Sequence, residues 1–281
     1  FLKGDEGMAG AAITRITGSR DLYDPLDRGQ GASVNFLTCH DGFTLYDLYS
    51  YNMKHNEKNG WNNTDGDNNG NSWNCGVEGD TEDPEIERLR RRMVKNAFVT
   101  LMCSRGPAMF FAGDEFCNTQ FGNNNAYCQD NVTTWLDWRL MERNQKTYRF
   151  VKELLAFRRK HPLYHQDRPL TGLDMKGRGA PDVSCHGKEP WVIDFSYYSR
   201  KLGILFYGSY FEGQSLYFAF NFHWEEQEFW LPSLPGGKVW YVSVDTGGRY
   251  LHDFIPKQQG MVRLPENRVT MVARSVCVFI A

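Results

Sequence analysis

The sequence lacks the features that mark three large classes of protein. No apolar run approaches the roughly 20 residues that a membrane-spanning helix needs. The 32 basic residues nearly balance the 34 acidic ones, giving a net charge of −2, so we expect no basic surface that would attract a nucleic acid. Hydrophobic residues make up 41% of the chain, which excludes a disordered protein. The sequence therefore predicts a globular protein with no membrane and no nucleic-acid partner.

Paired cysteine motifs are also absent. The seven cysteines are irregularly spaced, and none forms a C-x-x-C pair, which speaks against a zinc site or a disulfide framework. We expect reduced, mostly buried thiols and a cytoplasmic location. The chain opens FLKGDEGMAG with no initiator Met and no signal peptide, so it resembles an internal start, and a targeting segment could have been lost with the missing part.

The first 160 residues have the pattern of alternating strands and helices. Apolar runs at 32–39 and 108–112 predict two buried strands. Asp83 and Pro84 suit the cap and first position of a helix that ends at Gly106-Pro107. A second helix is predicted over 146–159. A parallel βαβα arrangement follows from this order.

The helix predicted over 146–159 has an apolar face, and a β-rich region follows it. Its predicted buried side chains are Val151, Leu154, Leu155 and Phe157. After Pro162 the period changes, and about seven short β-rich runs lie between Asp182 and Ala281. These runs predict an antiparallel sandwich, joined to the first part by the glycine-rich segment 163–180.

Reactive side chains follow both apolar runs of the first part. The first run leads into Cys39-His40-Asp41-Gly42 and the second into Gly113-Asp114-Glu115. Active-site groups of parallel sheets and barrels lie at the carboxyl ends of strands. By itself a His-Asp pair more often has a structural role, since both residues cap helices and turns.

Longer motifs resemble one enzyme family. VNFLTCHDGFTLYDL at 34–48 resembles the fourth conserved region of the α-amylase superfamily, glycoside hydrolase family 13. The segments 50–60, 65–79, 105–115 and 122–138 are similar to isoamylases and glycogen-debranching enzymes of the bacterial type. PDVSCHG at 181–187 and YYSRKLGILFYG at 197–208 extend the resemblance into the second half.

The resemblance implies a fold and an activity. Residues 1–161 are expected to form the last two units of a (β/α)₈ TIM barrel, and residues 162–281 an antiparallel β-sandwich domain. The implied reaction is retaining hydrolysis of α-1,6 branch linkages in a branched α-glucan, either glycogen or a limit dextrin. The family's nucleophilic Asp, in a motif like GFRFD, and its acid/base Glu are both missing. We expect them upstream of Phe1, so that this chain needs the N-terminal part of the barrel and is inactive alone.

Individual positions match the family's site. Asp41 matches the carboxylate that stabilises positive charge in the transition state. His40 matches the histidine that binds hydroxyls of the same sugar. Glu115 and Asp114 match a motif that is more often architectural. Four residues after the second run are candidates for the wall of the glucan cleft: Asn123, Asn124, Asn125 and Tyr127.

The segment 52–74 contains nine asparagines. Their amides suit sugar hydroxyls, but Asx turns that stitch a structural loop explain them equally well. Asp65 and Asp67 imitate the start of a calcium loop, yet Gly76 occupies its twelfth position. The sequence therefore predicts neither a metal nor another cofactor, and of the metal sites it leaves open only calcium in a geometry other than an EF-hand.

Tryptophan side chains are candidates for stacking on glucose rings. Those of the first half are Trp61, Trp73, Trp135 and Trp138, and those of the second half, more in keeping with a core, are Trp191, Trp224, Trp230 and Trp240. Two alternatives to debranching stay open. One is another α-glucan specificity such as that of pullulanase or α-amylase, and the other is a catalytically silent glucan-binding subunit, which would have no need of His40-Asp41.

Overall fold

A computed structural model describes residues 1–23, 28–251 and 262–281. The chain divides into two compact units. Unit 1 contains Phe1–Asn35, Val99–Pro107 and Glu153–Ala281, and unit 2 contains Phe36–Phe98 and Ala108–Lys152. Among the described residues, no helix is both long and apolar enough to span a membrane. The predicted boundary between residues 161 and 162 lies inside unit 1.

Five α-helices are described. They are α1 (Ala9–Ile16), α2 (Leu45–Leu48), α3 (Pro84–Cys103), α4 (Arg139–Arg143) and α5 (Gln145–Lys160). Two short 3₁₀ helices, Asp114–Phe116 and Ala126–Cys128, contain the candidate site residues Asp114, Glu115 and Tyr127.

Helix α3 begins where its sequence predicts. The Asp83 carboxylate accepts hydrogen bonds from the backbone N–H groups of Glu85 (2.8 Å) and Ile86 (3.4 Å), and Pro84 occupies the first helical position. Met93 and Ala97 are fully buried. The prediction of this helix is confirmed.

Two details of the first part were predicted wrongly. The runs at 32–39 and 108–112 are not regular strands, since each contains a single bridge residue, Asn35 and Ala108. The Asn35 N–H does donate to the Pro107 carbonyl at 2.8 Å, but a strand needs hydrogen-bonded neighbours along its whole length. Leu155 of α5 is 39% exposed rather than buried. The two barrel units stay a prediction.

Unit 1 contains the β-structure of the second half. A six-stranded sheet has the order β1 (Val183–His186), β2 (Lys201–Phe206), β3 (Leu216–Asn221), β8 (Ser275–Ile280), β5 (Tyr241–Asp245) and β6 (Val262–Arg263). A two-stranded sheet joins β4 (Gln227–Trp230) to β7 (Arg268–Met271). Every pair is antiparallel, which confirms the predicted antiparallel character.

The core of unit 1 lies against the middle strands of the larger sheet. All residues of β3 and β8 are buried, so both faces of these strands are covered. Trp240 is fully buried, and its indole N–H donates to the Pro232 carbonyl at 2.8 Å. The expectation of a core role therefore holds for Trp240, whereas Trp191, Trp224 and Trp230 are 51%, 56% and 41% exposed.

Candidate active-site loops

His40 and Asp41 lie on an exposed turn of unit 2. The imidazole Nε2 is 3.4 Å from the carboxylate Oδ2, and the two side chains are 82% and 79% exposed. Gly42 follows with φ +89°, a left-handed conformation that favours glycine. Thr38 and Phe43, on either side of the turn, are buried. The pair is thus presented to solvent from a turn with fixed ends.

The carboxylate of Asp114 accepts hydrogen bonds from both ends of this turn. Thr38 Oγ1 donates to Asp114 Oδ2 at 2.6 Å, and the Leu45 N–H donates to Oδ1 at 2.8 Å. The Phe111 N–H adds a third bond at 3.1 Å. Burial raises the pKa of Asp114 to about 6, against the effect of these hydrogen bonds. Asp114 is therefore an anchor for the His40–Asp41 turn, while Glu115 accepts a bond from the Gly113 N–H at 2.9 Å.

Asp47 makes a second anchor from helix α2. Its carboxylate accepts hydrogen bonds from the backbone N–H groups of Gln120 (2.8 Å) and Gly122 (3.3 Å) and from the Thr119 hydroxyl. Burial again raises the pKa, to about 6. The segment before Asn123 is thereby fastened to the helix that follows the His40–Asp41 turn.

The candidate cleft-wall residues differ in what they present to solvent. Asn123 and Asn124 are buried, each 3% exposed, whereas Tyr127 is 77% exposed. The Asn123 amide pairs with Asn59, and the Asn125 amide donates to Asp65 Oδ2 at 2.8 Å. These amides are engaged within the protein, so Tyr127 is the member of the group best placed for an external ligand.

Hydrogen bonds between its own residues hold the asparagine-rich segment 52–74 in place, and the segment also lines a cavity. Asn63 donates to the Lys54 carbonyl at 2.9 Å, and Asn59 donates to Asp65 Oδ2 at 2.8 Å. A cavity of about 320 Å³ opens beside it. The lining residues are Phe43, Asn52, Met53, Lys54, Asn63, Asp67, Asn68 and Gly70. Because Phe43 lies two residues after Asp41, the cavity adjoins the His40–Asp41 turn.

Arg90 of helix α3 is a structural residue that the sequence analysis missed. Its side chain is fully buried, and Nη2 donates to the carbonyls of Val77 (2.5 Å) and Asn74 (3.2 Å). Nη1 lies 3.6 Å from the Glu87 carboxylate. Arg90 precedes the buried Met93 by three residues, and this spacing on the apolar stripe was the available signal. It holds the end of the asparagine-rich segment against the helix.

The described part of the chain contains no group of three or more His, Cys, Asp or Glu side chains that could hold a metal. No disulfide joins the seven cysteines, all of which lie in that part. Cys75, Cys103, Cys117 and Cys277 are buried, whereas Cys128 is exposed. Of the candidate stacking residues in unit 2, Trp61, Trp135 and Trp138 are 60%, 59% and 63% exposed.

Comparison with known proteins identifies the family of this chain. The chain is 38% identical over 261 residues to a glycogen operon protein GlgX homologue of Mycobacterium tuberculosis, a match covering 88% of the chain and 36% of that protein. It is 39% identical over 258 residues to the rice protein isoamylase 3, chloroplastic, covering 92% and 31%. The chain belongs to the isoamylase-type glycoside hydrolases of family 13. No family model matches it.

Solved structures agree on the fold of this isoamylase-type chain. A pullulanase from Bacillus acidopullulyticus superposes with a TM-score of 0.66 at 18% identity, covering 100% of the chain and 27% of that protein. A pullulanase from Anoxybacillus, complexed with maltotetraose, gives 0.64 at 21% identity, covering 100% and 32%. The chain spans about a third of the length of the curated relatives it matches. Because some relatives are chloroplastic by name, a cytoplasmic location stays a prediction.

Proposed function

We propose that this chain supplies the Asp41 side of an α-glucan debranching site that hydrolyses α-1,6 linkages of glycogen or a limit dextrin. The observation that carries the proposal is the exposed His40–Asp41 pair, held by the buried Asp114 beside an amide-lined cavity. Such a site offers an anion on an anchored turn and a cavity with a polar lining, and glycoside hydrolysis needs both a positioned anion and groups that bind hydroxyls.

The proposed role of Asp41 is electrostatic. Cleavage of a glycosidic bond develops positive charge on the sugar ring, and a fixed carboxylate stabilises that charge without being consumed. His40 donates hydrogen bonds to hydroxyls of the same sugar. Tyr127, 77% exposed, is proposed to contact the glucan, with Asn123, Asn124 and Asn125 supporting the wall behind it.

Retaining hydrolysis also needs a nucleophile and an acid/base residue, with carboxyl groups about 5–5.5 Å apart. We assign these to the N-terminal part of the barrel in a longer protein, which is the partner this chain requires. No cofactor takes part in this chemistry. The 281-residue chain alone is therefore proposed to bind α-glucans without cleaving them.

Two measurements test the proposal. With glycogen as substrate, the chain alone should release no new reducing ends. In a longer enzyme that contains this chain, Asp41→Asn should lower kcat by about 10²–10³-fold, the loss typical of a transition-state stabiliser. Glu82→Gln is the matched control, because this carboxylate is exposed elsewhere in unit 2 and should leave kcat unchanged.

The rival functions give different results. Clear turnover by the chain alone would refute the assignment of the nucleophile and the acid/base residue to the N-terminal part of a longer protein. An Asp41→Asn enzyme within a few-fold of wild type would refute the assignment of Asp41. Cleavage of unbranched amylose would favour an α-amylase specificity. A longer enzyme that binds maltohexaose but cleaves no glucan would favour a silent binding subunit.

A further inference from the structure

We infer that Asn56 and Asn124 form a positioning pair that fixes the cavity of the asparagine-rich segment relative to Asp41. This inference rests on the proposed function, since it concerns the same site. Neither residue touches the reacting atoms in this scheme. Their effect on glucan binding is transmitted through the backbone beside Asp41.

The two asparagines bind each other reciprocally. The Asn124 backbone N–H donates to Asn56 Oδ1 at 3.0 Å, and Asn56 Nδ2 donates to Asn124 Oδ1 at 2.8 Å. Asn56 is 0% exposed and Asn124 is 3% exposed. An amide supplies a donor and an acceptor on one side chain, so this arrangement requires an amide at position 56.

Asn124 joins the two parts of the site. Its Nδ2 donates to the carbonyl of Asp67, a lining residue of the cavity, at 2.7 Å. Its own carbonyl accepts a bond from the Gly42 N–H at 3.0 Å. Because Gly42 directly follows Asp41, a displacement of Asn124 would move the Asp41 turn and the cavity wall relative to each other.

The residues around Asn56 and Asn124 restrict the positions of both side chains. The Asn56 N–H donates to Asn63 Oδ1 at 2.9 Å, and Asn56 Nδ2 also donates to the Asp65 carbonyl at 3.0 Å. Gly66 has φ +75°, and a Cβ there would lie 2.3 Å from Asn124 Oδ1 and 2.8 Å from Asn56 Nδ2. The chain therefore closes over the pair at a position that only glycine can occupy.

The test compares Asn56→Ala with Asn69→Ala, whose side chain is exposed in the same segment. Amide hydrogen exchange of Gly42 should become at least 10-fold faster in Asn56→Ala and stay unchanged in Asn69→Ala. Calorimetry with maltohexaose should give a Kd raised about 10-fold in Asn56→Ala alone. Asn56→Asp keeps the acceptor and loses the donor, so it provides a second variant if Asn56→Ala does not fold.

A double-mutant cycle with Asp41→Asn distinguishes a positioning role of Asn56 from a merely structural one. If Asn56 acts through Asp41, the effect of Asn56→Ala on Kd should largely disappear in the Asp41→Asn background. Additive effects, or unchanged Gly42 exchange in both Asn56 variants, would overturn the inference. Failure of the wild-type chain to bind maltohexaose would count against the proposed function, while Gly42 exchange would still decide the role of the pair.

Discussion

Thr38 Oγ1 lies 2.6 Å from Asp114 Oδ2, although 76 residues separate them in the sequence. This bond links the start of the His40–Asp41 turn to the segment in which the second apolar run ends. The exposed pair thus depends on a carboxylate that has little contact with solvent. The turn that carries Asp41 is therefore held at both ends by one buried carboxylate.

The buried carboxylates predict a pH dependence of stability. The pKa values of Asp47 and Asp114 are raised by burial from 3.8 to about 6, so between these values the folded chain holds protons that the unfolded chain has released. The stabilisation by each group is complete below about pH 4 and is lost as the pH rises through about 6. From pH 5 to pH 7 each group should lower the free energy of unfolding by on the order of 1 kcal/mol.

Urea unfolding of wild type and Asp114→Asn at pH 5, 6 and 7 measures this effect. The variant cannot titrate at position 114, so its free energy of unfolding should fall less between pH 5 and pH 7. Other titrating groups are common to both proteins and cancel in the comparison. Identical pH profiles would show that Asp114 is already ionised at pH 5.

Removal of the buried Arg90 should destabilise the chain strongly. Arg90→Ala leaves the carbonyls of Val77 and Asn74 without their donor, and it leaves Glu87 without one of its positive neighbours. We expect a loss of about 3 kcal/mol in the free energy of unfolding. The matched variant on the same helix is Arg88→Ala, whose ion pair with Glu85 is exposed and is worth about 0.5 kcal/mol. Equal losses in the two variants, measured by urea unfolding, would contradict a structural role for Arg90.

Gly113 should tolerate alanine poorly. It has φ +99°, and a Cβ would lie 2.6 Å from Asn118 Cβ and 2.8 Å from Leu136 Cδ2. Gly60 has φ +83° with no atom within 4 Å of such a Cβ, so Gly60→Ala carries only the backbone cost of about 1–2 kcal/mol. Gly113→Ala should cost at least 1 kcal/mol more than that, because packed atoms must move. Thermal or urea unfolding of both variants checks the difference, and equal midpoints would exclude the clash.

Local signals in the sequence were sufficient for helices but not for buried polar contacts. Asp83 and Pro84 fixed the start of α3, because a capping side chain and a proline act on the adjacent turn. The pairing of Asn56 with Asn124 spans 68 residues, and nothing in the composition of segment 52–74 selects the partner of a given amide. The asparagines could be recognised as a group, whereas their hydrogen bonds depend on the tertiary fold.

The apolar runs in the sequence also did not distinguish a regular strand from an irregular segment, or a buried side chain from an exposed one. Residues 32–39 have the composition of a buried strand, but strand structure depends on a hydrogen-bonded neighbour that composition does not reveal. Leu155 continues the apolar face of α5 in sequence and is nevertheless 39% exposed. His40 and Asp41 could be identified through a resemblance over 15 residues, whereas their exposure and the attachment of their turn to Asp114 depend on the tertiary fold.

The strand order of the larger sheet has a consequence for synthesis on the ribosome. Strand β8 lies between β3 and β5, so β5 and β6 have no hydrogen-bonded connection to β1, β2 and β3 until residues 275–280 have emerged. The β1–β2–β3 meander can form early from adjacent segments, but closure of the sheet waits for a partner made more than 50 residues after β3. A nascent chain stalled before β8 would expose the edges of β3 and β5, both of which are otherwise protected from pairing with other chains.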